Sequence, residues 1–271
     1  MSAAAAVFRR VTRHRELILG LTRRELFSPF AGSHFGVAWA LLHPLLQMLV
    51  YLTVFSLIWE MRMAEGLGGL DDYKAFLLSG MLSWMLWASL LPSACGAVLN
   101  SASLVKQADF PAEVLPLRTV LVALVPHLVS LAVLGLYILI GHGVQPGALL
   151  LLPLALAIQA VGLLGAAYAL GALCVFVRDV KEVVTVFTAM GIFLVPVFYP
   201  PDMVAGLPAG VRWVLAVNPF SHFVHLYRDA LYWGELRHPF SWVLCSLVSV
   251  LLLVVGQRAF TRLRLFFGNF L

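Results

Sequence analysis

Long stretches without a charged residue constrain this chain more than any other feature of its sequence. Asp, Glu, Lys and Arg make up 11% of its 271 residues, against roughly 25% in soluble domains. A helix needs about 20 apolar residues to cross the bilayer core. The uncharged stretches are 26–59, 75–105, 119–177, 183–201 and 238–257. They predict a polytopic membrane protein and exclude a soluble, disordered or disulfide-stapled secreted chain.

The longest uncharged stretch holds two spans. It is interrupted at 141–147 (GHGVQPG), a composition typical of a turn. The runs do not alternate between polar and apolar residues, so helices are favoured over the strands of a barrel. We therefore predict an all-α polytopic membrane protein with six transmembrane helices, at about 37–58, 76–98, 119–140, 148–176, 183–199 and 239–257.

Lysine and arginine set the predicted orientation. If both termini are cytoplasmic, the inner segments are 1–36, 99–118, 177–182 and 258–271, with thirteen basic and six acidic residues. The outer segments hold five basic and seven acidic residues. This asymmetry follows the positive-inside rule. The basic residues flank spans and form no separate domain, so nucleic-acid binding is a poor alternative.

Residues 1–36 are predicted to be an amphipathic interface segment that precedes a six-span domain over 37–271. On a helical wheel one arc is apolar and another is rich in arginine and includes Arg23 and Arg24. Such a helix lies on the anionic cytoplasmic leaflet. It either anchors the topology or forms a docking surface for a cytoplasmic partner. The apolar arc contains Phe8, Val11, Ile18, Leu19 and Leu26.

The inner segment 99–118 mixes apolar residues with isolated charges. Asn100 or Ser101 is predicted to cap a short helix that Pro111 ends. The segment is either an ordinary loop or one that docks into a groove on a partner.

We call residues 200–237 the outer segment. It is rich in proline and glycine yet largely apolar, unlike a free loop. Two short helices, at about 208–216 and 219–233, are predicted to dip back into the membrane as re-entrant helices before the last span. Irregular backbone at that depth is tolerated only against protein or a water-filled cavity. The charges Arg212, Arg228 and Asp229 are expected to face water or to pair, although Arg228 and Asp229 are neighbours and do not face each other on a helix.

The spans lack the groups that coupled carriers and enzymes use. Their ionisable candidates are His43 and His127, which either pack or lie on a solute path. The chain has no G-x-x-x-x-G-K-[ST] phosphate loop. A passive pore, or a transporter driven by a separate ATPase, remains. An integral membrane enzyme is the alternative from another class, but the acidic pairs Glu60/Glu65 and Asp71/Asp72 look like a solvated loop.

Seven short motifs occur in a fixed order along the chain. They are 23–26 (RREL), 33–39 (SHFGVAW), 43–45 (HPL), 110–116 (FPAEVLP), 178–180 (RDV), 199–200 (YP) and 218–220 (NPF). Together they resemble the membrane subunit of type-2 ABC exporters, in the polysaccharide-export branch of O-antigen, teichoic-acid and capsule permeases. The resemblance extends over about residues 15–260. Glu113 occupies a loop position that we expect to vary, and the loop 59–75 leaves no room for an added periplasmic domain.

The resemblance implies an inner-membrane permease with both termini cytoplasmic. Two copies would form a channel for a lipid-linked polysaccharide, together with two copies of a nucleotide-binding ATPase. ATP and Mg²⁺ would bind the ATPase, and this chain would hold no cofactor and no metal and catalyse no reaction. A type-2 ABC exporter of drugs or lipids is the alternative. The implied ATPase-coupling residues are Arg23, Arg24, Lys106, Gln107, Asp109, Phe110, Glu113, Arg178 and Asp179.

Aromatic side chains near the ends of the spans are the candidates for lining the channel, because aromatic rings stack on sugar rings. They are Tyr51, Phe55, Phe193, Phe198 and Tyr199. Packing and membrane-interface belts are the competing explanation for these five, and Trp59, Trp84 and Trp87 are interpreted as belt residues. The candidate outer gate consists of Pro200, Asn218, Pro219 and Phe220.

Overall fold

The structure, a computed structural model, describes residues 14–30, 32–36, 38–58, 63, 69–107, 110–145 and 147–271. The described residues form helices joined by turns, with no strand among them. Five of these helices are long and apolar enough to cross a membrane: Ala38–Ile58, Tyr73–Gly96, Val114–His142, Ala148–Phe176 and Pro239–Phe270. The predicted all-α polytopic membrane protein is confirmed.

The α-helices are numbered in chain order. Two of them continue as π-helical turns, α2 into Thr53–Ile58 and α10 into Asp229–Trp233. The bounds are α1 Arg15–Phe27, α2 Ala38–Leu52, α3 Tyr73–Gly96, α4 Ala102–Val105, α5 Val114–His142, α6 Ala148–Phe176, α7 Val180–Gly191, α8 Pro201–Gly206, α9 Ala209–Val217, α10 Pro219–Arg228, α11 Pro239–Leu263 and α12 Phe267–Phe270.

The predicted span at 183–199 is shorter than expected. Helix α7 ends at Gly191 and is followed by a 3₁₀ turn, Ile192–Leu194. Val195 then adopts an extended conformation, because a residue that precedes proline, here Pro196, is pushed out of the helical region. The chain continues without helix to Pro200, so the count of six spans stays a prediction.

Helices α6 and α11 form the most extensive helix pair of the bundle. Two glycines let their backbones touch: a Cβ added at Gly165 would lie 2.3 Å from the Leu252 carbonyl carbon, and one at Gly256 would lie 2.2 Å from the Gly165 carbonyl oxygen. Small residues at helix crossings in membranes permit this close approach. The pair therefore depends on the absence of side chains at these two positions.

Helix α3 lies at the centre, in contact with α5, α6, α7 and α10. Asp72 caps its first turn by accepting a hydrogen bond from the Lys74 backbone N–H at 2.9 Å. The same carboxylate accepts one from the Tyr137 hydroxyl at 2.6 Å and lies 3.1 Å from His142 Nε2. Asp72 therefore joins the start of α3 to the end of α5. The expectation that Asp71 and Asp72 only face solvent is wrong for Asp72.

The turn predicted at 141–147 is confirmed. Helix α5 ends at His142, and Gly143 has a φ of +78°, a conformation that favours glycine. Gly147 packs against the outer segment, since a Cβ there would lie 2.1 Å from the Gly234 carbonyl oxygen.

Helix α1 packs against the start of α5. Ile18 is 3% exposed and contacts Val114 and Leu117, whereas Leu19 is 61% exposed. The face of α1 that packs on protein thus follows Ile18 and Thr22 at helical spacing, and the placement of the apolar arc in the membrane interface stays a prediction. Phe8 and Val11 lie outside the described residues.

The two helices predicted in the outer segment are confirmed as α9 and as α10 with its π-helical extension. Helix α8 precedes them. Proline occupies the first position of both α8 and α10, where its missing N–H costs no hydrogen bond. Helix α10 lies between α3, α6 and α11, so this part of the outer segment is inside the helical bundle.

Candidate functional site

The predicted coupling residues gather at one end of the bundle, which we call the coupling end. Tyr168, two turns before the end of α6, donates a hydrogen bond to the Glu113 carbonyl oxygen at 3.1 Å. The start of α5 therefore lies beside the end of α6. Six side chains are exposed there: Arg23 and Arg24 on α1, Lys106 and Gln107 after α4, and Arg178 and Asp179 between α6 and α7.

Arg118 joins three parts of the coupling end. Its guanidinium forms an ion pair with Glu25 of α1. Its Nη1 also donates a hydrogen bond to Ser101 Oγ at 3.3 Å. Arg118 is buried at the start of α5. It therefore holds α5 to α1 and to the 3₁₀ turn that precedes α4. The short helix predicted here is confirmed as α4, but it ends at Val105 and not at Pro111. Ser101 binds Arg118 and does not cap the helix.

Glu113 and Phe110 are less exposed than the other described coupling residues. Glu113 is 7% exposed, and its carboxylate forms an ion pair with Arg264 beyond α11. Phe110 is half-buried in a cluster with Phe260 and Phe267. These two side chains join the inner loop to the C-terminal helices. Asp109 lies outside the described residues.

The structure brings all five predicted channel aromatics into one aromatic cluster. The Phe55 and Phe198 rings are stacked with centroids 4.1 Å apart. The Phe198 ring lies 5.6 Å from both Tyr51 and Phe193 and 6.4 Å from Tyr199. Phe198 is 1% exposed and Phe193 is 56% exposed. The cluster thus has a packed centre and one exposed ring.

The predicted gate residues connect the outer segment to the end of α7. Asn218 caps α10 by accepting a hydrogen bond from the Phe220 backbone N–H at 3.0 Å. Its amide also donates one to the Leu194 carbonyl oxygen at 2.9 Å. Pro219 begins α10, and Pro200 is buried just before α8. Asn218 is therefore the direct polar link between α10 and the end of α7.

Phe220 lies among aromatic rings from the centre of the bundle. It contacts Trp84, Trp87 and Phe187 edge-on or tilted, with centroids 5.3 to 5.6 Å apart. Trp84 and Trp87 are buried in mid-α3, so their interpretation as belt residues is wrong. Hydropathy alone does not separate a tryptophan at an interface from one in a protein core. Trp59 lies outside the described residues.

A cavity of about 540 Å³ extends from α1 to the aromatic cluster. Its lining is mostly apolar, with Glu25 at one end and Tyr51 at the other. His43 and His127 both line it, and His127 Nε2 also lies 3.0 Å from the Tyr227 hydroxyl. His127 is thus packed and cavity-lining at once. The sequence interpretation missed the other polar lining groups, whose only signal was a polar residue within an apolar span: Gln47, Ser89, Ser130 and Thr188.

Arg228 and Asp229 point to different partners, as their adjacency predicted. Asp229 lies 2.6 Å from His238 Nδ1 and accepts hydrogen bonds from the His238 backbone N–H and from Trp242 Nε1, both at 2.9 Å. Arg228 Nη2 donates to the Val197 carbonyl oxygen at 2.8 Å, and its guanidinium carbon lies 3.5 Å from the centre of the Phe76 ring. The expectation that Arg228 faces water or pairs with an acid is wrong, because it is 3% exposed.

Two histidines lie beside this pair of charges. The rings of His225 and His238 are stacked with centroids 4.3 Å apart. Burial lowers the pKa of the His225 imidazole well below its usual range, with nearby His238 and Arg228 acting in the same direction. Sequence reasoning missed both histidines, since neither belongs to a recognisable spacing.

Comparisons with known proteins place these features in context. The family model described as ABC-2 type transporter matches residues 16–232. An O-antigen export system permease protein, RfbA, from Klebsiella pneumoniae is 24% identical over 258 residues, which cover 94% of this chain and 95% of the relative. RfbA from Myxococcus xanthus is 27% identical over 257 residues, with the same coverage. The capsule polysaccharide export inner-membrane protein CtrC from Neisseria meningitidis serogroup B is 21% identical over 245 residues, 88% of each chain.

Proposed function

Because the chain belongs to the ABC-2 type transporter family, we propose that it is the membrane subunit of an ATP-driven exporter that moves a lipid-linked polysaccharide across the bacterial inner membrane. The observation that supports the substrate class most directly is the nearly full-length similarity to relatives named as O-antigen export permeases. The relative named for capsule polysaccharide export supports the same class.

The proposed assembly contains two copies of this chain and two cytoplasmic ATPase subunits. ATP and Mg²⁺ bind the ATPase subunits, and both termini of this chain are cytoplasmic. The exposed charges at the coupling end, among them Arg23, Lys106 and Arg178, support docking of the ATPase there. Opposite charges on a partner would steer and orient it.

The contacts at the coupling end suggest how ATP binding acts on the spans. A push on α1 or on the loop after α4 reaches α5 through Arg118, which binds both Glu25 and Ser101. It reaches the C-terminal helices through the ion pair of Glu113 with Arg264. Because each ion pair has one buried partner, Arg118 or Glu113, and charge-assisted hydrogen bonds are strong, the coupling end moves as a unit.

The transport path in this proposal lies between the two copies. The polysaccharide passes along the aromatic cluster and stacks on the ring of Phe193, whose exposure supports this role. The gate at Asn218 and Phe220 opens when α10 separates from the end of α7, which breaks the hydrogen bond from Asn218 to Leu194.

Co-purification with an ATPase tests the assembly. The chain is co-expressed with a candidate ATPase subunit from the same genome, and the mass of the complex is measured by native mass spectrometry. We expect two copies of each subunit, with ATP hydrolysis by the complex and none by the chain alone. A chain that purifies without the ATPase, or that hydrolyses ATP by itself, would contradict the proposal.

A further inference from the structure

A cavity of about 240 Å³ in the outer segment is surrounded by basic side chains. We call it the basic cavity and define it by Phe76, Pro201, His225, Arg228, Arg237 and His238. Its described lining contains two arginines and two histidines and no carboxylate. Its volume is far above the roughly 10–15 Å³ that a single water needs. The cavity therefore has room for a group larger than water, with basic side chains around it.

Arg228 at the floor of the basic cavity is a buried charge without a described acidic partner. Its contacts are the neutral Val197 carbonyl and the face of Phe76. Its Nε has no hydrogen-bond partner among the described residues. A buried guanidinium normally pairs with an anion, because neutral contacts alone do not replace its lost hydration. Among the residues that the structure describes, none supplies an anion to this side chain.

Asp229 is the adjacent carboxylate, and its oxygens are already engaged. They accept hydrogen bonds from the His238 backbone N–H and Trp242 Nε1, and one lies 2.6 Å from His238 Nδ1. Asp229 thereby fixes the His238 ring at the cavity and does not neutralise Arg228. His225 Nδ1, also buried, has no hydrogen-bond partner among the described residues. Two unsatisfied nitrogens, on Arg228 and His225, thus belong to residues of one cavity.

Arg237 supplies a second guanidinium on the exposed side of the cavity. It is held over the Trp233 ring, with its guanidinium carbon 3.9 Å from the ring centre. Arginine forks match the oxygens of phosphate groups bidentately. An anion in the cavity would thus contact two guanidinium groups, the exposed one of Arg237 and the buried one of Arg228.

We propose that the basic cavity binds a phosphate or diphosphate group. If the exporter function proposed above holds, on which this step rests, the group is the diphosphate that joins a polyprenyl lipid to the glycan. Arg228 binds Val197, and the next residue, Phe198, is the centre of the aromatic cluster. A diphosphate in the cavity would therefore lie next to the rings assigned to the sugars.

Direct titration tests the site. The full chain is purified in nanodiscs without its ATPase, whose nucleotide sites would bind phosphates, and is titrated with inorganic diphosphate by calorimetry. We expect wild type to bind, and Arg237→Gln to raise the dissociation constant about tenfold or more, the effect of one charge-assisted hydrogen bond. Arg228→Lys should weaken binding further.

Arg212→Gln is the matched control, because Arg212 is an exposed arginine of the outer segment that does not line the cavity. It should bind as wild type does. If Arg228→Lys fails to fold, Arg237→Gln still tests the site, because Arg237 is exposed and its substitution does not disturb the core. No binding by wild type, or equal binding by wild type and Arg237→Gln, would overturn the proposal.

A second arm identifies the source of the anion. Nanodiscs that contain polyprenyl diphosphate should weaken the apparent binding of inorganic diphosphate, whereas nanodiscs with polyprenol should not. Binding without this competition would assign the cavity to a free phosphate and overturn the lipid assignment. This experiment measures binding in the absence of ATP, whereas the exporter proposal is tested by transport. A negative binding result would therefore overturn the site and leave the exporter proposal untouched.

Discussion

The five aromatic side chains of the cluster have different surroundings, and this difference separates packing from transport. Phe198 is buried and stacked on Phe55, whereas Phe193 is exposed. Removing a buried phenylalanine costs about 3–5 kcal/mol, but removing an exposed one leaves no cavity. The exposed ring of Phe193 can meet a sugar without a rearrangement of the core.

We predict that Phe193→Ala lowers polysaccharide export at least severalfold and leaves assembly with the ATPase unchanged. Phe198→Ala should lower the melting temperature of the chain and the yield of complex. Export is followed by the amount of polysaccharide at the cell surface, and assembly by co-purification. Phe240→Ala is the control, because Phe240 is exposed at the start of α11 and outside the aromatic cluster. Export by Phe193→Ala at the level of Phe240→Ala would remove Phe193 from the channel.

Charge reversal at single residues tests the role of the coupling end. We predict that Lys106→Glu and Arg178→Glu reduce the stimulation of ATP hydrolysis by polysaccharide, because both side chains are exposed where the ATPase is proposed to dock. Arg212→Glu, in the outer segment, should leave the stimulation intact. The stimulation is measured as the ratio of the phosphate-release rates with and without polysaccharide. Unchanged stimulation in both variants would mean that the ATPase docks elsewhere.

Some residue roles were open to prediction from the sequence and others were not. Charges near span ends, such as Arg178, are exposed as expected, because charge at these positions prefers water or a partner. The burial of Glu113 was missed, since its partner Arg264 lies 151 positions away and no local pattern reports such a pair. The burial of Arg228 was missed for the same reason, as Val197 and Phe76 come from other parts of the chain.

At the scale of elements, the glycine crossing of α6 and α11 makes a sharp prediction. Gly165→Ala should destabilise the chain by about 1–3 kcal/mol, the usual cost of overpacking, because its Cβ would meet the Leu252 backbone. Thermal unfolding in detergent measures the effect.

Gly135→Ala is the control for this crossing. Gly135 lies within α5, and a Cβ there would meet nothing within 4 Å. It should leave stability unchanged or raise it slightly, since alanine favours helix. Equal melting temperatures for Gly165→Ala and Gly135→Ala would contradict the close packing of α6 and α11.

Prolines and glycines explain why several element boundaries were predictable. The turn at 141–147 and the start of α10 follow local rules that composition reports. The early end of α7 was also encoded locally, by Val195 before Pro196, but the apolar run concealed it. The buried face of α1 depends on where α5 lies, which a helical wheel cannot report.

At the scale of the whole molecule, the absence of charged residues from the predicted spans bears on the source of energy. The spans contain no Asp, Glu, Lys or Arg at the predicted bounds, so ion coupling has no obvious carrier group. In our proposal, energy enters at the coupling end from a separate ATPase. The cavity from α1 to the aromatic cluster connects that end to the residues proposed to bind sugars.

Transport in a defined system tests the exporter proposal most directly. Inside-out proteoliposomes are prepared with the chain, its ATPase and fluorescent lipid-linked polysaccharide, and the fraction of glycan protected from an added glycosidase is followed. We predict that protection increases with ATP, and not with ADP or without the ATPase. Equal protection with ATP and with ADP, in vesicles whose ATPase is active, would contradict the proposal that this chain forms an ATP-driven polysaccharide exporter.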